Sequence, residues 1–272
     1  MKKIVLSNAD YQRIPAISSH GLIACLHSPA DCWRKYLDPH RTDSEPTDAL
    51  RMGSLVHGLA LTPSQFPQEF RLVETRRTRD GKTEWQWTLS QGRIPIRPVE
   101  LEKARAIVAA LHANPDARKL LLYGKKERTI IQPRASGLLP LKARLDVHHE
   151  TRRQIVELKT IRDLGLVKQA LQRYQYALSA AFYQDLVRGQ SVVMVFVQST
   201  PPHEVAVFTL SRQHLLEGRE QYHSALSRFD ECWRSGVWPE AEPLPDFDDD
   251  PLLMPTMPNP PQRQAEVGEL VL

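Results

Sequence analysis

Three observations predict an α/β fold with a mixed β-sheet and helices on both faces. Helical spacing of apolar residues dominates the first third of the chain. The period then changes to strand-like alternation in three successive segments, 127–132, 141–149 and 154–160. Helix returns after them, followed by two apolar strands and a last helix. The order helices, β-meander, helix, two strands, helix packs as layers around one sheet.

The elements follow in turn. In "ISSHGLIACLHSPADCWRKYL", Ser18 or Ser19 caps a helix whose Leu22, Ile23 and Leu26 share a face. Pro29 opens a second short helix containing Trp33 and Tyr36. After the polar loop "DPHRTDSEP", residues 47–61 read as a helix, with Leu50, Leu55 and Leu59 on one face and Met52, Val56 and Leu61 broadening it. Residues 74–98 show no long period, are rich in Arg and Lys, and place Trp85 and Trp87 two apart. The expectation for them is a mobile basic arm or a loose hairpin. "VELEKARAIVAALHANPDARKLL" is an amphipathic helix ending near Asn114-Pro115, with a short helix after it. The turns "ASGLLP" and "ETRRQ" join the three strands of the meander. Residues 166–189 read as one long helix stopped by Gly189. "SVVMVFVQS" and "HEVAVFTL" are strands, and "RQHLLEGREQYHSALSRFDECWRSG" is the closing helix.

Two regions are expected: a folded domain over 1–240 and an acidic, proline-rich, disordered tail over 241–272. The tail holds seven of the 21 prolines, and its seven acids against Arg263 give it a charge of −6. The whole chain carries +4, so the body carries +10. A basic body suits a polyanion partner, although a charge of this size also serves solubility alone. Cys25, Cys32 and Cys232 form no CxxC pair and are expected to be reduced and structural. No apolar run is long enough for a membrane helix, and the start "MKKIVLSNADYQRIP" lacks the pattern of a secretory signal. The expectation is a cytoplasmic protein with no membrane contact.

One stretch, "RLDVHHETRRQIVELKT", carries chemistry. Residues i and i+2 of a strand face one way, so Glu157 and Lys159 project together. Asp146 lies on the preceding strand of the hairpin, which brings it beside Glu157. Two close carboxylates repel unless one takes up a proton or a cation lies between them. A hard divalent cation such as Mg2+ resolves the conflict, and the carbonyl of Leu158 offers a further oxygen. Lys159 could then orient and help deprotonate an attacking water, or stabilise charge building on a phosphate. The bland alternative for Glu157 and Lys159 is a surface ion pair.

D-x(n)-E-x-K on a β-meander followed by a helix resembles the restriction-endonuclease-like, or PD-(D/E)xK, nuclease superfamily. "ISSHGLIACLHSPADCWRKYL", "LRMGSLVHGLALTPSQF", "ERTI", "RLDV", "VELKT", "AAFYQD" and "QYHSAL" with "WP" occur in the order found in the RecE-type exonuclease domain, over about residues 15–245. The resemblance implies a restriction-endonuclease-like core and a Mg2+-dependent exonuclease on double-stranded DNA ends, with Mn2+ able to substitute and two ions bound. It further implies 5′→3′ digestion leaving 3′ single strands, a phage or prophage recombination setting, a RecT-type single-strand annealing partner and a ring-like homo-oligomer. By the same matching, Asp146 and Glu157 fall on the metal-binding acids, Lys159 on the catalytic lysine and His57 on a helix histidine that approaches the metal. Read alone, a histidine on an apolar helix is more often a core residue. Glu127 falls on an acid that acts behind the metal ligands or on a second ion, with an exposed strand-end charge as the alternative.

Two departures stand out. The family's Gln-x-x-x-Tyr pair is matched by Tyr183, but the Gln position holds Ser179, with Gln175 one turn earlier on the same face. Glu157 stands where the best-known member has Asp, a change a Mg2+ site tolerates. Outside the core, Arg76, Arg77, Arg79 and Lys82 are expected to contact DNA phosphates, with Trp85 or Trp87 stacking on a terminal base. The alternative is a solvated loop with two core-anchoring tryptophans. "DFDDDP" in the tail resembles the acidic tip of single-stranded DNA-binding proteins, but is internal, and a solvated tail that shields the body is preferred. Three other readings compete with an exonuclease: a RecB-like structure-specific endonuclease or helicase-associated nuclease, a non-catalytic DNA-end or partner-binding module, and a phage structural protein, which would leave the acids to chance. No G-x-x-x-x-G-K-[ST] motif supports a helicase, and no cysteine quartet supports an iron–sulfur subgroup.

Overall fold

Residues 125–161 form the three-stranded meander their alternation requires, and the rest of the sheet grows from its last strand. The computed structural model describes residues 6, 8–41 and 45–241. The expected disordered tail from residue 242 on, with its "DFDDDP", lies outside the described residues.

The chain begins with α1 (Asn8–Arg13), α2 (Ser19–His27) and α3 (Pro29–Cys32), which runs into a π-turn at Trp33–Leu37. Next come α4 (Asp48–Leu61), α5 (Phe66–Glu69), β1 (Phe70–Leu72), α6 (Arg79–Ser90), β2 (Ile94–Ile96), α7 (Pro98–Ala113) and α8 (Pro115–Leu122). The central strands are β3 (Lys125–Gln132), β4 (Leu141–His149) and β5 (Gln154–Ile161). The second half adds α9 (Val167–Arg173), α10 (Tyr176–Val187), β6 (Ser191–Gln198), β7 (Val205–Thr209) and α11 (Arg212–Ser235). Side-chain oxygens cap the helices as the composition suggests. Ser18, Thr47 and Ser211 accept from Gly21, Leu50 and His214 and start α2, α4 and α11.

The sheet order is β3-β4-β5-β6-β7. Within this five-stranded sheet only β5 and β6 run parallel, with α9 and α10 as the crossover. Each face of the sheet carries its own core. Leu145, Ile155, Met194 and Phe196 pack against α2, α10 and α11. Val156, Leu158, Val193 and Val195 pack against α4, α7 and α8. At Gly218 an added Cβ would lie 2.1 Å from the Ala177 carbonyl oxygen, so only glycine lets α10 and α11 approach this closely. The three cysteines are free and buried, as expected.

Three expectations need correction. Residues 74–98 do not form a loose arm: α6 occupies their middle, and β2 pairs in parallel with β1. Gly81, Trp85 and Thr88 are its buried positions, a helical i, i+4, i+7 spacing masked by the polar residues between them. Residues 166–189 do not form one helix. The chain breaks at Tyr174–Gln175, where Gln175 takes a left-handed φ of 47°, and left-handed Arg188 rather than Gly189 caps the end. Leu50 is 64% exposed, and its neighbour Arg51 turns inward between Glu100 and the Trp85 ring.

Candidate active site

The site lies where the sheet forks. Backbone pairing of β4 with β5 ends at Val147 opposite Val156, whereas β5 continues with β6 as far as Ile161. The N-terminal segment covers the freed start of β4: Ile17 N–H donates to Pro140 O at 2.9 Å, and Lys142 N–H to Ile17 O at 2.8 Å. Lys142 then pins that segment, its buried ammonium donating to the carbonyls of Tyr11, Gln12 and Ile14. Inside the fork, side chains replace the missing ladder. Leu158 N–H donates to Asp146 Oδ2 at 2.8 Å, and the Leu158 carbonyl lies 2.9 Å from His57 Nε2. Both backbone groups would otherwise be buried at a cost of about 1–3 kcal/mol each.

Local distortion aims the acids. Ala143 and Leu145 of β4 pack with one core but Val147 with the other, so the strand exchanges its faces around Asp146. Directly opposite, Glu127 has a left-handed φ of 46° although its neighbours keep register. A non-glycine residue there costs about 1–3 kcal/mol, and such strain concentrates where a side chain must be placed. Asp146 Oδ1 lies 3.5 Å from His57 Nδ1, and Glu127 Oε1 lies 3.8 Å from the same nitrogen. One ligand atom from each of His57, Glu127 and Asp146 falls within 4.8 Å of the others. Glu127 uses its second oxygen to accept from Arg144 Nε at 2.5 Å.

Glu157 and Lys159 complete the group. Lys159 Nζ donates to Glu157 Oε2 at 2.9 Å and lies 3.7 Å from Asp146 Oδ2. Glu157 Oε1 is buried with no hydrogen-bond partner among the described residues. One imidazole nitrogen and two carboxylates within 4.8 Å of one another fit a hard divalent cation, and the orphaned Glu157 oxygen on β5 is a further acceptor in the fork.

The titration directions agree with this reading. Burial first, and the charge of Asp146 second, push Glu157 up to about 7 against the pull of Lys159. Burial opposes a charge on Lys159, but Glu157 and Asp146 outweigh it and hold the ammonium well above the ordinary lysine value. Burial likewise opposes a charge on His57, and Asp146 and Glu127 overcome it, raising the imidazole pKa. Burial would lift Glu127, yet His57 and Arg144 draw it below the usual carboxylate range.

The fork therefore gathers His57, Glu127, Asp146, Glu157, Lys159 and the Leu158 carbonyl from four elements. Tyr183 of α10 is buried behind Lys159, and its hydroxyl accepts from Ser19 Oγ at 3.1 Å. Of the other expected DNA contacts, Gln175 reaches His27 at 3.2 Å, and Ser179 is half-buried in α10. Trp85 cannot stack on DNA. It is 1% exposed, donates to Glu45, and lies between the guanidiniums of Arg51 and Arg76 at 5.0 and 4.7 Å. Arg76 is engaged in the same cluster through Glu45. Arg77, Arg79, Lys82 and Trp87 are exposed.

Sequence reasoning missed three participants. Tyr176 sets its ring 5.7 Å from Lys159 Nζ, a cation–π distance. Arg144 neutralises Glu127, and its place two residues before Asp146 on the same strand was the available signal. Glu69 at the end of α5 is lifted by burial, against Arg144, and further by the charge of Glu127.

A forked mixed sheet with Asp146, Glu157 and Lys159 in the fork defines a restriction-endonuclease-like protein of the PD-(D/E)xK class. The chain belongs to the family described as PDDEXK-like domain of unknown function (DUF3799), whose model matches residues 21–242. It is similar in fold to the crystal structure of a candidate exonuclease from Eubacterium rectale. There the TM-score is 0.64 at 16% identity, over 96% of this chain and 97% of that one. A phage-related exonuclease from Haemophilus somnus 129PT matches with a TM-score of 0.37 at 13% identity, over 82% of this chain and 96% of that one. No curated protein sequence matches the chain.

Proposed function

We propose that the protein is a metal-dependent deoxyribonuclease that degrades linear double-stranded DNA from its ends. The observation that carries this reading is the His57–Glu127–Asp146 cluster, with ligand atoms within 4.8 Å of one another and Lys159 3.7 Å from Asp146, next to Glu157 with its partnerless Oε1. Structural ion pairs satisfy their acids, whereas this group keeps acceptors in excess. His57, Asp146 and Glu127, with Glu157 beside Lys159, would hold Mg2+ or Mn2+. Bound there, the cation would supply a Lewis acid for the phosphodiester and a more acidic water.

The protein's own groups do the rest. Lys159, held 2.9 Å from Glu157 and 3.7 Å from Asp146, would donate to a phosphate oxygen. Glu157 ties lysine and cation together: its Oε2 accepts from Lys159 at 2.9 Å, and its Oε1 is left open towards the cation or its water. His57, tied to the Leu158 carbonyl through Nε2, keeps Nδ1 turned towards the acids. Exposed Arg77 just before α6, with Arg79, Lys82 and Trp87 on its exposed side, supplies outer contacts to the duplex.

The finer reading follows the RecE-type resemblance: 5′→3′ digestion leaving 3′ single strands, a RecT-type annealing partner, a ring-like oligomer and a phage-type recombination role in the cytoplasm. Among the described residues no helix is long and apolar enough to cross a membrane. The test compares linear and covalently closed duplex DNA in Mg2+, using the wild type and Lys159→Ala. Loss of linear DNA alone, abolished by the substitution, supports an exonuclease. Cut circles point to an endonuclease, and intact DNA in every divalent metal removes the catalytic reading.

A further inference from the structure

Tyr174 sits at the break between α9 and α10 and is 53% exposed. A single exposed aromatic residue is ordinary, but three observations set this one apart. The first is the backbone. "LQRYQYALS" contains no glycine or proline, yet the helix is interrupted by left-handed Gln175. Local preference would continue the helix, so the tertiary structure imposes the break at about 1–3 kcal/mol.

The second is what the break achieves. In a continuous helix, residues two apart diverge by about 200° and their rings cannot meet. Here the Tyr174 and Tyr176 rings lie 5.6 Å apart and tilted at 33°. Tyr176 in turn faces Lys159 Nζ at 5.7 Å and packs on Phe196, the cross-strand partner of Lys159, at 6.0 Å. Tyr174 is thus the outermost ring of an aromatic path that ends at the catalytic ammonium. The third is charge. Residues 162–173 place Arg162, Lys168 and Arg173 in solvent against the single acid Asp163, and Arg173 lies 5.9 Å from the Tyr174 ring.

We propose that Tyr174 is a stacking platform for the nucleobase next to the scissile phosphodiester, with Arg173 beside it for the adjoining phosphate. Every base has a π-face, so such a platform grips an unpaired base without reading sequence. A frayed duplex end would be held where Lys159 can meet its phosphate. This rests on the nuclease reading, and the site it names lies on the α9–α10 junction rather than on α6.

Two measurements on the full-length protein test it. Steady-state digestion of linear duplex in Mg2+ is compared for wild type, Tyr174→Ala and Tyr174→Trp. Binding of a duplex with 2-aminopurine as its terminal base is followed by fluorescence in Ca2+. Base stacking of the usual strength predicts that Tyr174→Ala raises KM and the dissociation constant about tenfold, more than kcat falls. It also predicts weaker quenching of 2-aminopurine, and Tyr174→Trp restores both. Equal KM and equal quenching in wild type and Tyr174→Ala overturn the platform. If the wild type binds but never cuts, and Tyr174→Ala still weakens binding and quenching, the nuclease reading fails and the platform stands.

Discussion

The fork and the segment 74–98 both bring charge and aromatic rings together, and they use them oppositely. Around Trp85 every charge has its counterpart. Arg51 meets Glu100 and Asp48, Arg76 meets Glu45, and both guanidiniums cover the indole. Its acids are all paired, although Arg51 Nε is left without a hydrogen-bond partner among the described residues, and the cluster holds α4 against α6. In the fork, three buried acids crowd one imidazole and one lysine, and Glu157 keeps an oxygen without a partner among the described residues. Acids crowded together with an oxygen to spare mark the proposed centre of chemistry, and acids each paired with a guanidinium mark structure. The aromatic pairs draw the same line. Trp85 and Trp87 diverge on an intact helix, one inside and one 48% exposed, whereas Tyr174 and Tyr176 are brought together by a broken one.

The comparison breaks if substitutions in the two regions have similar consequences. The largest effect is expected at Asp146. Asp146→Asn should lower digestion of linear duplex on the order of 10³-fold. The neutral amide keeps its oxygen for Leu158 N–H, so the melting curve should move little, and a parallel loss of stability would deny the separation. Trp85→Ala should do the reverse. Emptying that site should cost about 3–5 kcal/mol in a denaturant titration, with activity per folded molecule retained. Selective loss of DNA binding in a stable Trp85→Ala protein would restore the stacking role.

Smaller effects sharpen the picture. Tyr176→Leu removes the ring facing Lys159 and should lower kcat about tenfold, from a cation–π contribution of about 1–2 kcal/mol, while Tyr176→Phe should recover it. No recovery by Phe would move the role to the hydroxyl. The smallest contrast lies within α6 and its approach. Arg77→Ala should reduce the slope of log K against log salt by about 0.9, the share of one phosphate contact, and Arg76→Ala should leave it unchanged. Equal slopes for both variants would remove Arg77 from the DNA path.

How much of this was legible in the sequence depends on the range of the forces involved. The meander was readable because period 2 is local, and α4 and α11 because capping and periodicity agree. Asp146, Glu157 and Lys159 were readable because i, i+2 and a short hairpin fix their relations. His57 came from resemblance, since nothing near it in sequence shows that it meets Leu158, 101 residues on. The left-handed turns at Glu127 and Gln175 left no trace, because glycine is the usual flag for such backbone and neither position carries it. Helix α6 was obscured by a basic, polar sequence whose few buried positions look irregular until Gly81, Trp85 and Thr88 are aligned. The Gln missing at Ser179 drew attention to that helix, but the residue that reaches Lys159 is Tyr176, one turn earlier.

The central claim is that the fork is an unfinished charge cluster completed by a divalent cation. Calorimetric titration of Mn2+ into the wild type, Asp146→Asn and Glu157→Gln tests it without any DNA. Saturable binding in the wild type, lost or weakened at least tenfold in both variants whose folds stay intact, is the predicted result. Binding of equal strength in all three proteins, or none in the wild type, would contradict it.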